Sequence, residues 1–332
     1  MIEKRKSFGC DMAKNYWKKR FKKLTGVQVL KRDLTPLRYP GGKGSLKYFL
    51  ANILVDNDLY GKTLVEPFCG GAGASIPLLA AGMIDHLYLN DKSPAIFNFW
   101  KNVFFNTDEF LSLIQKCDIS LKEWGHQKNI ASKPNGYSSV EVGFSTFFLN
   151  RCNRSGLLSA GPIGGMDQSG RYKIDCRFNK ENLIDRIEQI ASFRDKVSVS
   201  GHDASKFLET LNNETLSNSL IFIDPPYVVQ GENLYKDCSF DERDHERFAQ
   251  YIKQKAWKWV ITYDDHPLIH ALYAERAVGV IELSYLMQSA KVGRELLVAS
   301  THCRIPFPKE DSFNPRESGK AKPELLNVEG IR

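Results

Sequence analysis

The stretch Leu220-Ile221-Phe222-Ile223-Asp224-Pro225-Pro226-Tyr227 ends an apolar run in an acid, two prolines and a phenol. That combination suits one demand of group-transfer chemistry. The exocyclic amine of a nucleobase is a poor nucleophile, because its lone pair is delocalised into the ring. Two acceptors set against its N–H bonds draw it toward tetrahedral geometry and free the lone pair for attack. Asp224 offers a carboxylate and Pro225 a backbone carbonyl, and the locked φ of Pro225 and Pro226 limits the drift of both. Tyr227 adds a face on which a base can stack. Catalysis of this kind works by positioning and charge stabilisation and needs no perturbed general base.

Two glycine clusters accompany this corner. In Glu66-Pro67-Phe68-Cys69-Gly70-Gly71-Ala72-Gly73, the glycines allow a tight turn and a close approach of backbone to a ligand. Asp91 follows Gly70 by 21 residues, where a carboxylate accepts hydrogen bonds from ribose hydroxyls. Alone, the glycines fit an ordinary turn; paired with Asp91 they favour an adenosine pocket. Their spacing is not G-x-G-x-x-G, which weighs against a nicotinamide cofactor. In Pro40-Gly41-Gly42-Lys43-Gly44, Gly44 stands where a P-loop requires Ser or Thr, so a nucleoside triphosphatase is rejected. Tyr39 and Lys43 supply a ring face and a cation for a ligand carrying adenine and a carboxylate; the alternative is a plain glycine turn into a helix.

The elements that must position these groups alternate along the chain. Short apolar runs at 63–68, 86–91, 196–201, 219–224, 258–264 and 277–283 read as strands, and Gly293–Ser300 reads as a later one. Helical patterns separate them, and strand-helix alternation predicts an α/β fold with a doubly wound sheet. Asp224 and the first glycine cluster then both fall at carboxyl ends of strands, where open α/β sheets bind ligands. From Thr107 to about Asp195 the pattern turns helical around a glycine-rich loop, with Leu183, Ile184, Ile187 and Ile190 on one helix face. Within 257–267, Asp265 and His266 read as a satisfied loop pair.

Composition narrows the class. Residues 1–32 carry eleven Lys/Arg against two Asp/Glu, a balance of +9, leaving 35 against 37 on the other 300. With Tyr16, Trp17 and Phe21 among the lysines, this arm fits polyanion binding or a solvated leader equally. No apolar run approaches the roughly 20 residues needed to span a bilayer, and a soluble, cytoplasmic protein is expected. The seven cysteines stand singly, without metal-ligand spacing, so no metal is expected.

In this order, Arg38–Leu46, Glu66–Gly73, Tyr88–Asp91 and Ile223–Tyr227 resemble the DNA adenine methyltransferases of the Dam type, over about residues 34–300. The resemblance implies a Rossmann-like methyltransferase sheet with a helical target-recognition insertion, S-adenosylmethionine as cofactor, double-stranded DNA as partner, and an adenine flipped from the duplex. It implies a catalytic domain over 34–106 and 195–305 with a recognition insertion over 107–194, while charge and composition set off a basic arm over 1–33 and a polar tail over 306–332. Tyr39, Lys43, Glu66, Phe68, Gly70, Asp91 and Asp224 match cofactor-binding positions; Asp224, Pro225, Pro226 and Tyr227 match the catalytic motif. Ala72 replaces a glycine common in the cofactor loop.

The recognition segment departs from that pattern. Arg154 and Ser155 stand where Dam has a tyrosine and an asparagine that act in the duplex, and Ser159 replaces a base-reading arginine. The target sequence is therefore not inferable. Arg151, Arg154, Ser155, Arg171 and Lys173 are expected phosphate or base contacts. A monomeric enzyme from a bacterium or its phage is expected, with methylation of adenine in RNA, or inert DNA binding on the same fold, as alternatives.

Overall fold

The computed structural model describes residues 7–8, 10–26, 30, 34–38, 42–228, 240–286 and 290–306 of the chain. Its strands are β1 (Ser7–Phe8), β2 (Lys62–Glu66), β3 (Ile84–Asn90), β4 (Val197–Ser200), β5 (Ser219–Ile223), β6 (Lys258–Asp264), β7 (Ala277–Leu286) and β8 (Ala290–Ala299). They form one sheet in the order β1-β7-β8-β6-β5-β2-β3-β4. β2 lies parallel to both β3 and β5, and β5 parallel to β6; only β8 runs against its neighbours β6 and β7. The chain winds outward from β2 to β4, then returns to β5 beside β2. That reversal is a topological switch point, and it opens a crevice between the two carboxyl ends.

Alternation along the strands builds a core on each face. Leu64, Leu220, Phe222, Val260 and Leu297 point to one side, and Val65, Ile221, Ile223, Trp259, Ile261 and Leu296 to the other. Each fully buried aliphatic side chain of this kind stabilises by about 1.5–3 kcal/mol. Both faces being covered is why the strands read as continuous apolar runs. The second face is covered by α9 (Ala204–Thr210), α10 (Asn213–Ser217), α11 (Glu242–Lys253) and α12 (Pro267–Leu272).

The first face carries α1 (Cys10–Thr25), α2 (Lys47–Asp56), α3 (Ser75–Ala80) and α4 (Pro94–Phe105). Against α4 pack α5 (Thr107–Lys116), α7 (Ser139–Cys152) and α8 (Lys180–Ala191), with α6 (Leu121–Ser132) on α7. Phe99, Trp100, Phe110, Phe144, Phe147, Phe148 and Phe178 form an aromatic cluster where these helices meet. Between Thr107 and Asp195 the described chain contributes no strand to the sheet. Capping fits the sequence: Ser138 and Glu141 form a capping box that starts α7.

The basic N-terminal segment differs from a free arm. β1 pairs with β7, and α1 docks on α2 through Trp17 and Phe21, which are fully buried. Arg20 reaches Asn52 and Asp56, at 2.7 and 2.6 Å, and the Trp17 indole N–H donates to the Pro306 carbonyl. Of the aromatics that suggested a polyanion-binding strip, Trp17 and Phe21 are core residues and Tyr16 is partly buried; the lysines at 18, 19, 22 and 23 remain on the outer side. The polar tail lies outside the described residues from 307 onward, as does Tyr39. No helix among the described residues is long and apolar enough to cross a membrane.

Candidate active site

Asn90, at the end of β3, fixes the carboxyl edge of the sheet. Its amide nitrogen donates to the carbonyls of Pro67 and His202, both at 2.9 Å, and its oxygen accepts from Ser200 Oγ and the His202 N–H. The exits of β2, β3 and β4 are thereby tied to one buried side chain. Beyond β2, Gly70 adopts φ 44 and Ala72 φ 46. Gly70 is held from both sides: its N–H donates to Asp91 Oδ2 at 3.0 Å, and its carbonyl accepts the Trp100 indole N–H at 2.8 Å. Asp91 Oδ1 accepts the Ser93 N–H at 3.0 Å. Burial raises the Asp91 carboxyl to about 6, against the pull of the Ser93 and Gly70 N–H groups. Ala72 is buried in the loop.

The second glycine cluster touches the first. A Cβ on Gly73 would lie 3.3 Å from the Gly44 nitrogen, so these two backbones meet in a contact that side chains would crowd. Lys43 follows from that contact. Its side chain is 6% exposed, and its ammonium lies 3.0 Å from Asp224 Oδ2, 3.4 Å from Glu295 Oε1 and 4.9 Å from the Tyr227 ring centroid. Asp224 Oδ1 accepts from Thr262 Oγ1 at 2.7 Å, which fixes the carboxylate plane. The Tyr227 hydroxyl donates to Glu295 Oε1, and the Val228 N–H donates to Asp264 Oδ1 at 3.2 Å. Burial, then the charges of Asp224 and Glu295, keep the Tyr227 phenol well above its ordinary value, so it stays a donor.

Three carboxyl groups surround this corner, at Glu66, Asp224 and Glu295. Glu295 is 1% exposed, its Oε2 has no hydrogen-bond partner among the described residues, and burial raises it to about 7 although Lys43 opposes the rise. Glu66 accepts from Ser75 Oγ at 3.0 Å and is raised by burial from an ordinary 4.5 to about 8. A carboxyl raised in the folded state contributes stability below its unfolded value and loses it as pH rises through the folded one. Wild-type stability is therefore expected to fall between about pH 5 and pH 8, with Glu66→Gln cancelling part of the fall. Urea midpoints at pH 6 and pH 8.5 measure this; the variant should gain on wild type as pH rises, and parallel profiles would refute the assignment.

Of the residues expected at the site, Lys43, Glu66, Gly70, Asp91, Asp224 and Tyr227 converge at this edge. Pro225 and Pro226 carry the chain off it, Pro225 buried. Phe68 lies just beyond β2 and packs edge-on against Phe240 and Phe248, with ring centroids at 5.6 and 5.4 Å. From sequence, Glu295 and Thr262 read only as parts of strands. Glu295 faces Asp264 across the β6–β8 register, and an acid heading the run Leu296-Leu297-Val298 was the available signal. His266 caps α12 through Nδ1, while Asp265 pairs instead with His270 at 2.7 Å.

The expected nucleic-acid contacts separate into two groups. Arg151 points inward: its Nε donates to the Arg177 carbonyl at 2.7 Å and its Nη1 to the Pro36 carbonyl at 3.3 Å. Both bonds tie Arg151 to the protein's own backbone, and burial lowers it to about 10. Arg154, Arg171 and Lys173 are exposed. Ser155 sits in a tight turn at φ 56, held by the Asn153–Pro162 bridge and by Arg154 N–H donating to the Gly161 carbonyl at 3.0 Å. Arg171 lies over the exposed ring of Tyr172, and Lys173 donates to the Gln168 carbonyl.

Residues 39–288 match the family model described as D12 class N6 adenine-specific DNA methyltransferase. No curated protein matches the chain. Among solved structures, a candidate RNA methyltransferase from Pyrococcus horikoshii aligns over 86% of this chain and 97% of its own, at 10% identity and a TM-score of 0.38.

Proposed function

Because the chain belongs to the D12 class N6 adenine-specific DNA methyltransferase family, we propose that it methylates the exocyclic amine of an adenine flipped out of double-stranded DNA. The observation that carries this reading is the adjacency of β2 and β5, with Val65 paired to Ile221. It sets the glycine loop and the Asp224 corner side by side, bridged by Lys43.

S-adenosylmethionine fits this edge on the structure's own terms. Gly70 and Gly73 give a backbone cradle, Asp91 an acceptor for ribose hydroxyls, and Lys43 a cation for a carboxylate. When bound, the cofactor supplies a methyl group on a positively charged sulfur. The protein's part is to present the amine. Asp224 and the Pro225 carbonyl accept its N–H bonds, Tyr227 supports the base, and Thr262 and Lys43 hold Asp224 against rotation. Acceptors fixed in advance stabilise the charge that grows on nitrogen at little reorganisation cost.

The exposed Arg154 turn and the Arg171–Lys173 loop are the surfaces assigned to the duplex. Arginine suits both phosphate and guanine edges. The reading is tested by sequencing DNA from cells that express the protein, with a method sensitive to N6-methyladenine. A recurrent modified motif is expected; unmodified DNA beside modified RNA would assign the enzyme to RNA.

A further inference from the structure

The five residues Leu34-Thr35-Pro36-Leu37-Arg38 join the two halves of the proposed site. Leu34 and Leu37 are buried, which fixes the segment on the core. At one end, Thr35 Oγ1 donates to the Gly71 carbonyl at 2.7 Å, inside the cofactor loop between the two left-handed residues. At the other end, Asn150 of α7 grips the backbone of residue 38 from both directions. Its Oδ1 accepts the Arg38 N–H at 2.7 Å, and its Nδ2 donates to the Arg38 carbonyl at 2.8 Å and to the Gly156 carbonyl at 2.9 Å.

That end has no slack. Gly156 adopts φ +75, and a Cβ there would lie 2.2 Å from the Arg38 carbonyl oxygen. Arg38 Nη1 returns to the Asn153 carbonyl at 3.3 Å, while Arg151 Nη1 donates to the Pro36 carbonyl at 3.3 Å. Gly156 directly follows the Arg154–Ser155 turn assigned to DNA. Only Pro36 and Leu37 separate Thr35 from Arg38, at most roughly 10 Å of extended chain.

Resting on the proposed function, we infer that Thr35 and Asn150 are positioning residues that couple the duplex-facing turn to the cofactor loop. A shift of residues 154–156 on meeting DNA moves the Arg38 backbone, and the strap carries it to Gly71. Only a side-chain amide meets Asn150's requirement, since it must accept from one backbone group and donate to two others. Binding of duplex and of cofactor is then cooperative, and by linkage each ligand strengthens the other equally.

The test measures S-adenosylhomocysteine affinity of the full chain with and without saturating sheared, unmethylated genomic DNA. The wild type should bind the nucleoside about fivefold or more tighter with DNA, the low end of ordinary couplings. In Thr35→Val, which removes one hydroxyl at a half-buried position, that factor should fall toward one while binding without DNA persists. Asn150→Ala, with its fold checked by thermal melting, should lose the coupling from the opposite end. A wild-type factor of one, or variants that keep the wild-type factor, would overturn the inference with the proposed function untouched. No nucleoside binding by the wild type would sink both.

Discussion

Asp224→Ala is expected to lower methyl-transfer turnover by about a thousandfold, or about 4 kcal/mol of transition-state stabilisation. The variant loses the acceptor held by Thr262 and Lys43 at 2.7 and 3.0 Å. Its fold should survive, because Lys43 keeps Glu295 at 3.4 Å and only the Thr262 hydroxyl is stranded, a cost of about 1 kcal/mol. Asp224→Asn separates two mechanisms. The amide keeps an acceptor oxygen of the same reach, so positioning predicts activity between wild type and alanine. A general-base role predicts that Asn is as inactive as Ala. Single-turnover rates at saturating substrate make the comparison.

Lys43→Met should have the second large effect, on stability as well as binding. Lys43 is nearly buried between Asp224 and Glu295 and sits over Tyr227. Removing one partner of a buried ion pair typically costs about 3–5 kcal/mol, because the remaining charge is uncompensated. Here the Glu295 charge can escape by protonation. Glu295 already stands at about 7 with Lys43 pulling it down, so losing the lysine raises it further. The raised folded value makes stability fall as pH rises. The loss in Lys43→Met should therefore be larger at pH 8 than at pH 6 by urea denaturation, and S-adenosylhomocysteine binding should weaken at both. A pH-independent loss would mean that packing of the lysine stem, not its charge, dominates.

The sequence carried the sheet because strands buried on both faces leave unbroken apolar runs, such as Leu220–Ile223, whose ends are sharp. It carried most of the candidate site because a left-handed Gly70, the close approach of Gly44 and Gly73, and prolines after a strand are local requirements, visible without knowing the fold. Glu295 was hidden for the opposite reason. Its role depends on β8 running antiparallel beside β6, so that residue 295 faces Asp264 at the carboxyl edge, and no local pattern encodes that register. The N-terminal helix misled because lysines and buried aromatics share one amphipathic segment; Trp17 and Phe21 take the inner face. Arg151 misled similarly, since an arginine beside a glycine-rich loop reads as exposed until the carbonyls of Pro36 and Arg177 claim it.

The central claim is that the Asp224 corner delivers a methyl group to the exocyclic amine of adenine in DNA. Purified protein, S-adenosylmethionine labelled in its methyl group and unmethylated duplex DNA, followed by digestion to nucleosides, test it most directly. Label should co-migrate with N6-methyldeoxyadenosine and vanish with Asp224→Ala. Label on cytosine, or none in DNA under conditions where RNA is methylated, would contradict it.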